Sequence, residues 1–185
     1  MEQLPTMVDS AGGDNNGTTQ HISQSGGAYK FNGSTSLATA ADKSNLDPGT
    51  AGVRLTAKIS LTKAPAAGQT FDIVRKGVTT SSGGYYKIEL RHSSSGQAVA
   101  ACLFKDSHGR VGQVEGTTGL ANKGVVTVTC TKTSSGVTLN AAGQTRSATA
   151  TLGSISNSES VYVGGKGDGT DYFPGLMNSV KIEIG

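Results

Sequence analysis

Polar and apolar residues alternate in several short runs, and this alternation constrains the fold more than any other feature of the chain. Across residues 53–62 the odd positions are Val, Leu, Ala, Ile and Leu, whereas the even positions are Arg, Thr, Lys, Ser and Thr. Residues 86–91 and 126–131 alternate in the same way. Successive side chains of a strand point to opposite faces, so each run predicts a half-buried β-strand.

Turn-forming residues separate these runs and set the fold class. Asn-Leu-Asp-Pro-Gly at 45–49 and Ser-Ser-Gly at 134–136 are typical turn sequences. About ten to twelve short strands, with turn signals every 8–12 residues, are typical of an all-β sandwich or barrel. We therefore predict one antiparallel two-sheet sandwich over residues 1–185. The Gly-, Ser- and Asn-rich first forty residues predict an irregular segment that ends in a short strand near 28–31.

Composition narrows the possible functions. Only 16% of the residues are charged and the formal net charge is +3, which is no footprint of a nucleic-acid-binding surface. No run approaches 18 consecutive apolar residues, so no membrane insertion is expected. Residues 1–8 lack the basic and apolar regions of a signal peptide. The chain is thus either intracellular or a secreted or cell-surface protein that carries no leader here.

The two cysteines favour the extracellular interpretation. Cys102 and Cys130 each lie in an alternating, strand-like run. Two cysteines on the inward faces of neighbouring strands would suit one disulfide, which stabilises a loop of this length by about 3.5 kcal/mol in the chain-entropy model. The alternative is a pair of buried free thiols, which behave as small hydrophobic side chains.

Four segments resemble one family in order along the chain. Residues 29–37 (YKFNGSTSL) resemble the early strand, and 173–182 (FPGLMNSVKI) resemble the closing strand, of laminin-G-like, concanavalin-A-like jelly-roll domains of the bacterial secreted type. Residues 9–17 resemble the opening segment of the family and 139–143 resemble its hairpin turn. The resemblance implies a jelly-roll sandwich and a lectin-like binding function.

The chain also departs from the family pattern. Gly124-Val125 stands where the family usually has Trp-His, Ala142 replaces the hairpin Asp, and Asn178 replaces the closing-strand Asp. These differences weaken the expectation of an inherited calcium site or aromatic platform, but they leave the fold prediction unchanged. Calcium, which prefers six to eight oxygen ligands, is the one cofactor predicted, with Asp9, Asn16 and Asn178 as its candidate ligands. Alternatively, Asp9 and the nearby Asn-Gly residues make side-chain-to-backbone turns.

The sequence gives little support for a catalytic function. Jelly-roll glucanases carry paired carboxylates on one strand face, and this sequence has no such pair within a strand. Glu89 is flanked by Lys and Arg and is predicted to be a solvated surface residue. The histidines fall in predicted turns, and no Cys or His spacing suits zinc. We therefore expect no enzyme activity.

Two polar, Gly-rich loops are the best candidates for ligand contact, because loops at a sandwich rim are free to bind. Their residues supply charged groups and aromatic rings that suit a sugar. The predicted ligand-binding residues are Arg75, Lys76, Tyr85, Lys166, Asp168, Asp171 and Tyr172. The sequence thus predicts a non-catalytic module that binds carbohydrate through rim loops. The alternative is a protein-interaction or structural domain of a surface or adhesion protein without a sugar site.

Overall fold

A computed structural model describes residues 6–185 of the chain, which form fifteen β-strands and one turn of 3-10 helix at Ser44–Leu46. All paired strands are antiparallel and lie in two sheets. In spatial order, the eight-stranded sheet consists of β1 (Thr6–Met7), β2 (Gly17–Gln20), β5 (Leu37–Ala40), β14 (Val161–Val163), β7 (Thr70–Lys76), β8 (Tyr85–His92), β9 (Ala98–Lys105) and β10 (Val111–Glu115). The seven-stranded sheet consists of β13 (Gln144–Thr149), β12 (Gly136–Ala141), β11 (Val126–Lys132), β6 (Val53–Ser60), β15 (Pro174–Ile184), β4 (Ala28–Asn32) and β3 (Ser23–Ser25).

The predicted alternation builds the core. In β6, every second residue from Val53 to Ile59 is buried. On the facing sheet, Tyr86, Ile88 and Leu90 of β8 are fully buried. The inward rows of the two sheets meet in one continuous apolar cluster. The all-β, two-sheet sandwich predicted from the sequence is therefore confirmed.

A disulfide crosses this core. Cys102 of β9 and Cys130 of β11 are bonded, with their Cα atoms 5.5 Å apart. The predicted pairing is confirmed, but the expectation that the two strands are neighbours is wrong, because β9 and β11 belong to different sheets. The bond therefore joins the two layers, and both half-cystines are fully buried.

The sequence prediction missed four short strands. Residues 6–25 contain β1, β2 and β3 rather than an irregular segment, and β13 follows the hairpin turn at 142–143. These strands lie at or next to sheet edges and are rich in Thr, Ser and Gln. An edge strand has less apolar surface to bury, so it does not need the alternation that identifies central strands.

Polar groups also lie inside the sandwich. Lys76 of β7 is fully buried, and its Nζ lies 2.7 Å from Asp47 Oδ1 and 2.8 Å from Asp42 Oδ1. The same Nζ donates a hydrogen bond to the backbone oxygen of Asn157. This cluster ties the segment around the 3-10 helix to the loop before β14. Within residues 6–185, no helix has the length and apolarity needed to cross a membrane.

Asp106 organises the turn that joins β9 to β10. Its buried carboxylate accepts hydrogen bonds from the backbone N–H groups of His108, Arg110 and Gly153 and from the Arg110 guanidinium, over 2.7–3.0 Å. Burial by itself would raise the pKa of Asp106, but these donors outweigh it and hold the pKa well below its usual value.

Removing the disulfide should weaken the sandwich. The double variant Cys102→Ala, Cys130→Ala should lose about 2–4 kcal/mol of unfolding free energy, because the unfolded chain regains the freedom that the cross-link removed. Urea unfolding followed by circular dichroism measures this loss. The wild-type protein unfolded in a reducing buffer should match the variant. Equal stability of the variant and the oxidised protein would contradict this role.

The Asp106 carboxylate should stabilise the fold in a pH-dependent way. Because its folded pKa lies below its unfolded value, the carboxylate contributes stability above about pH 4 and loses it as the pH falls through the folded pKa. Asp106→Asn should therefore cost about 2–4 kcal/mol at neutral pH, and the difference from wild type should shrink in acid. Urea unfolding across the acid range measures it. The matched substitution Asp14→Asn, at an exposed carboxylate, should change little, and a cost that does not vary with pH would count against this account.

Candidate functional site

Charged side chains collect on the outer face of the eight-stranded sheet, the face that does not pack on the other sheet. In β8, Tyr85, Lys87, Glu89 and Arg91 alternate with the core-facing residues and so lie on this outer face. A β-bulge in β7 places both Ile73 and Val74 in the core. The bulge thereby brings the two flanking residues, Asp72 and Arg75, onto the same outer face. We call the resulting charged set the ionic row: Asp72, Arg75, Lys87, Glu89, Arg91 and Glu115.

Ion pairs connect the ionic row from one end to the other. Arg75 pairs with Asp72, whose other oxygen, Oδ1, lies 3.7 Å from Lys87 Nζ. Lys87 also pairs with Glu89. Arg91 then joins Glu89 Oε1 at 2.5 Å to Glu115 Oε2 at 2.9 Å. The row therefore has members on three strands, β7, β8 and β10, and crosses β9, with charges of alternating sign.

Side-chain exposure rises along the row from Asp72 to Glu115. The side chains of Asp72 and Glu89 are 0% and 3% exposed, whereas that of Glu115 is 39% exposed. Burial raises the pKa of Asp72, although Lys87 and Arg75 oppose that shift. The expectation that Glu89 is a solvated surface carboxylate is therefore wrong. Its two cationic neighbours are ion-pair partners that allow it to be buried.

The sheet register brings two carboxylates together that the sequence could not pair. Asp72 and Glu89 are direct cross-strand partners on β7 and β8. Side chains directly opposite each other in an antiparallel sheet stand about 4.5–5.5 Å apart at Cβ. Lys87 Nζ contacts both carboxylates, so each of them is paired with a cation.

A polar hairpin borders the row. Residues 164–173 fold back on themselves, with Lys166 N–H donating to Thr170 O at 3.0 Å and Phe173 N–H donating to Gly164 O at 2.9 Å. The hairpin is fixed to β7 because Asp72 N–H donates to Asp171 O at 2.8 Å and Gly164 N–H donates to Ile73 O at 3.0 Å. At the base of the hairpin, Phe173 is buried and packs edge to face on Phe31.

The hairpin presents charged groups and tyrosine rings. Lys166 Nζ lies 2.7 Å from Asp168 Oδ2, and the Thr170 hydroxyl donates to Asp168 Oδ1 at 2.7 Å. The pKa of Asp168 is lowered, and the hydrogen bond from Lys166 is the main cause. Tyr162 lies beneath the tip, where a Cβ added at Gly167 would come within 2.3 Å of the ring. A residue without a side chain is therefore needed there.

The predicted ligand-binding residues divide into three groups. Lys166, Asp168, Asp171 and Tyr172 belong to the hairpin. Arg75 and Tyr85 lie on the adjoining outer face but are buried, Arg75 in the ionic row and Tyr85 against Ala101 and Leu103. Lys76 faces the interior and is held by Asp42 and Asp47. The structure thus gathers six of the seven residues around one face and separates Lys76 from them.

Sequence reasoning missed most of the ionic row. Lys87, Glu89, Arg91 and Glu115 lie on strands rather than in the predicted rim loops. The available signal was the run Lys87, Glu89, Arg91, in which charges of opposite sign occupy every second position of one strand. Such a run places the charges on one face within reach of one another.

Two of the three predicted calcium ligands, Asp9 and Asn16, accept internal hydrogen bonds. Asp9 Oδ1 accepts from Ala11 N–H at 2.9 Å, and Asp9 Oδ2 accepts from Asn15 N–H at 2.9 Å. These donors lower the pKa of Asp9. Asn16 Oδ1 accepts from Asp9 N–H, and Asn178 is an exposed bulge residue of β15. The hydrogen bonds of Asp9 and Asn16 are those of the turn alternative, and in residues 6–185 no group of three or more His, Cys, Asp or Glu side chains converges on a point.

Comparison with solved structures places the fold in a known class. Domains LG4-5 of the mouse laminin alpha1 chain superpose with a TM-score of 0.58 at 13% identity, covering 87% of this chain and 43% of that one. The HCR/D F1240A mutant superposes with a TM-score of 0.64 at 16% identity, covering 95% of this chain and 44% of that one. The chain therefore has a laminin-G-like jelly-roll fold, and it spans less than half the length of either chain. No protein-family model and no curated protein sequence matches it.

The calcium prediction can be decided by melting. An ion that binds only the folded state must raise the melting temperature. Because the Asp9 oxygens already accept N–H groups, we expect the same melting temperature in millimolar calcium as in chelator. A rise in calcium that disappears in Asp9→Asn would instead establish the site.

Proposed function

We propose that the chain is a non-catalytic, extracellular binding module that holds a carbohydrate against the hairpin at 164–173 and the exposed end of the ionic row. One observation carries the proposal: charge pairs and the ring of Tyr172 lie on the same outer face of the eight-stranded sheet. At the hairpin these are Lys166, Asp168 and Tyr172. At the end of the row they are Arg91 and Glu115.

The chemistry of these groups matches that of a sugar. Sugar hydroxyls both donate and accept hydrogen bonds, so a carboxylate and a neighbouring cation can serve one hydroxyl pair. Asp168 and Lys166, 50% and 29% exposed, form such a pair in the hairpin. Hydrogen bonds to charged groups are stronger than those between neutral groups. Tyr172 adds a partly exposed ring on which an apolar sugar face can lie.

The site is also held in place before any ligand arrives. The row fixes its side chains by successive ion pairs, and backbone hydrogen bonds to β7 fix the hairpin. Ordering mobile side chains and loops costs free energy on binding, so a fixed site loses less of its affinity to that cost. This favours recognition of one defined ligand shape.

The arrangement of the carboxylates favours binding over hydrolysis. A retaining glycosidase needs one carboxylate free to attack and a second carboxyl group free to donate its proton. Asp72 and Glu89 lie side by side, but Arg75, Lys87 and Arg91 hold them in ion pairs. An extracellular setting agrees with the buried disulfide, since such bonds persist in oxidising compartments.

Binding to immobilised glycans tests the proposal. Tyr172→Ala and Asp168→Ala should each weaken binding about tenfold or more, the equivalent of one lost contact of about 1.4 kcal/mol. Asp14→Ala removes an exposed carboxylate in a different loop and serves as the matched control. No glycan binding by the wild-type protein, or equal binding by all three variants, would exclude the proposed site. Release of reducing sugar from a bound glycan would show that the module is an enzyme.

A further inference from the structure

The second half of β15 has a partner on one side only. β6 pairs with β15 along its length, from Leu176 to Ile184. On the other side, β4 pairs with Pro174–Met177 and goes no further. Among residues 6–185, no strand pairs with that side of Ser179–Ile184. A strand edge of this kind exposes unpaired N–H and C=O groups that can receive another strand.

The side chains at this edge are less buried than their neighbours. Val180, Ile182 and Ile184 face the core opposite Ala57, Leu55 and Val53. The three β6 residues are 0–2% exposed, whereas the three β15 residues are only partly buried. Apolar surface on the core side of the sheet is therefore left uncovered.

A partly apolar cleft runs along the unpaired edge. Its volume is ≈ 470 Å³. It reaches Ser179–Ile182 on one side and Met7 and Val8 on the other, and polar residues of the segment 9–15 and Asn45 of the 3-10 helix also line it. Ala40 and Val161 contribute to its floor. Val8 is 68% exposed. We call this cleft, together with the free edge of Ser179–Ile184, the strand slot.

The dimensions of the strand slot suit an extended peptide. The free edge of Ser179–Ile184 is about 20 Å long at the rise of a β-strand. An added strand would form main-chain hydrogen bonds to the unpaired N–H and C=O groups of the edge. Every second side chain of that strand would cover the apolar floor of the cleft. The free β15 edge of a second copy is the alternative occupant, and the experiment below separates the two.

Two charged side chains on the outer side of the edge indicate which charges an incoming strand should carry. Lys181 and Glu183 lie between the core-facing residues, are 60% and 41% exposed, and form an ion pair with each other, with Lys181 Nζ 2.7 Å from Glu183 Oε1. On an antiparallel strand, a carboxylate opposite Lys181 and an ammonium opposite Glu183 would each form a favourable cross-strand pair. β15 itself carries this pattern, Val-Lys-Ile-Glu-Ile at 180–184, and it is complementary to itself when run antiparallel about Ile182.

We propose that the strand slot binds an extended segment of a protein partner by strand addition. The segment has apolar residues at alternate positions facing the slot and an acidic and a basic residue facing Lys181 and Glu183. The slot lies beside the edge of the seven-stranded sheet, away from the outer face of the eight-stranded sheet. This binding is therefore independent of the carbohydrate site proposed above.

A labelled peptide of the β15 sequence, residues 178–185, tests the proposal by fluorescence anisotropy. The wild-type protein should bind it saturably, and a peptide with the Lys and Glu exchanged should bind several-fold more weakly. Ala40→Phe fills the slot and should abolish binding. Ala148→Phe, at a partly buried alanine of β13, is the matched control and should bind normally.

Hydrogen exchange gives a second readout that needs no variant. The peptide should slow exchange at the amides of Ser179–Ile184 and leave the hairpin at 164–173 unchanged. Absence of saturable binding at millimolar protein, or protection elsewhere, would overturn the proposal. Concentration-dependent dimerisation that Ala40→Phe removes would also overturn it, because a second copy would then be the occupant.

Discussion

Packing of two alternating strand faces against each other is the constraint on which the rest of the molecule depends. β6 and β11 on one sheet and β8 and β9 on the other commit every second side chain to the core. The Cys102–Cys130 bond fixes the distance between these layers at their centre. Because the inner faces are buried against each other, only the outer faces, the connecting hairpins and any unpaired strand edge are available to bind other molecules.

The ionic row shows what an outer face needs in order to hold buried charge. Asp72 and Glu89 stand directly opposite each other, and two adjacent carboxylates would repel. Lys87 lies between them, and Arg75 and Arg91 pair with their remaining oxygens. The bulge in β7 makes this possible, because a regular strand would have turned either Asp72 or Arg75 inward.

The sequence predicted the central strands well because, as in residues 53–62, apolar residues at every second position mark the buried face directly. It could not predict β13, an edge strand of mostly exposed polar residues in which only Ala148 packs on the core. It placed the hairpin residues Lys166 to Tyr172 in a polar loop, but it misjudged Glu89. Alternation tells which face a residue occupies, whereas cross-strand register decides its neighbours, and register between β7 and β8 cannot be read from one sequence. The burial of Lys76 could not be predicted for the same reason, since its partners Asp42 and Asp47 are distant in the chain.

The two surfaces proposed for binding differ in how they would discriminate. The face formed by the hairpin and the ionic row would recognise a ligand through side chains held in fixed ion pairs. A small change in the position of a ligand hydroxyl would therefore lower the affinity. The strand slot offers main-chain groups, which any extended segment can satisfy, and only its apolar floor and the pair Lys181 and Glu183 select among sequences. A specific sugar site and a more tolerant peptide site can operate together only if neither covers the other. Their positions, on the outer face of one sheet and at the edge of the other, meet that condition.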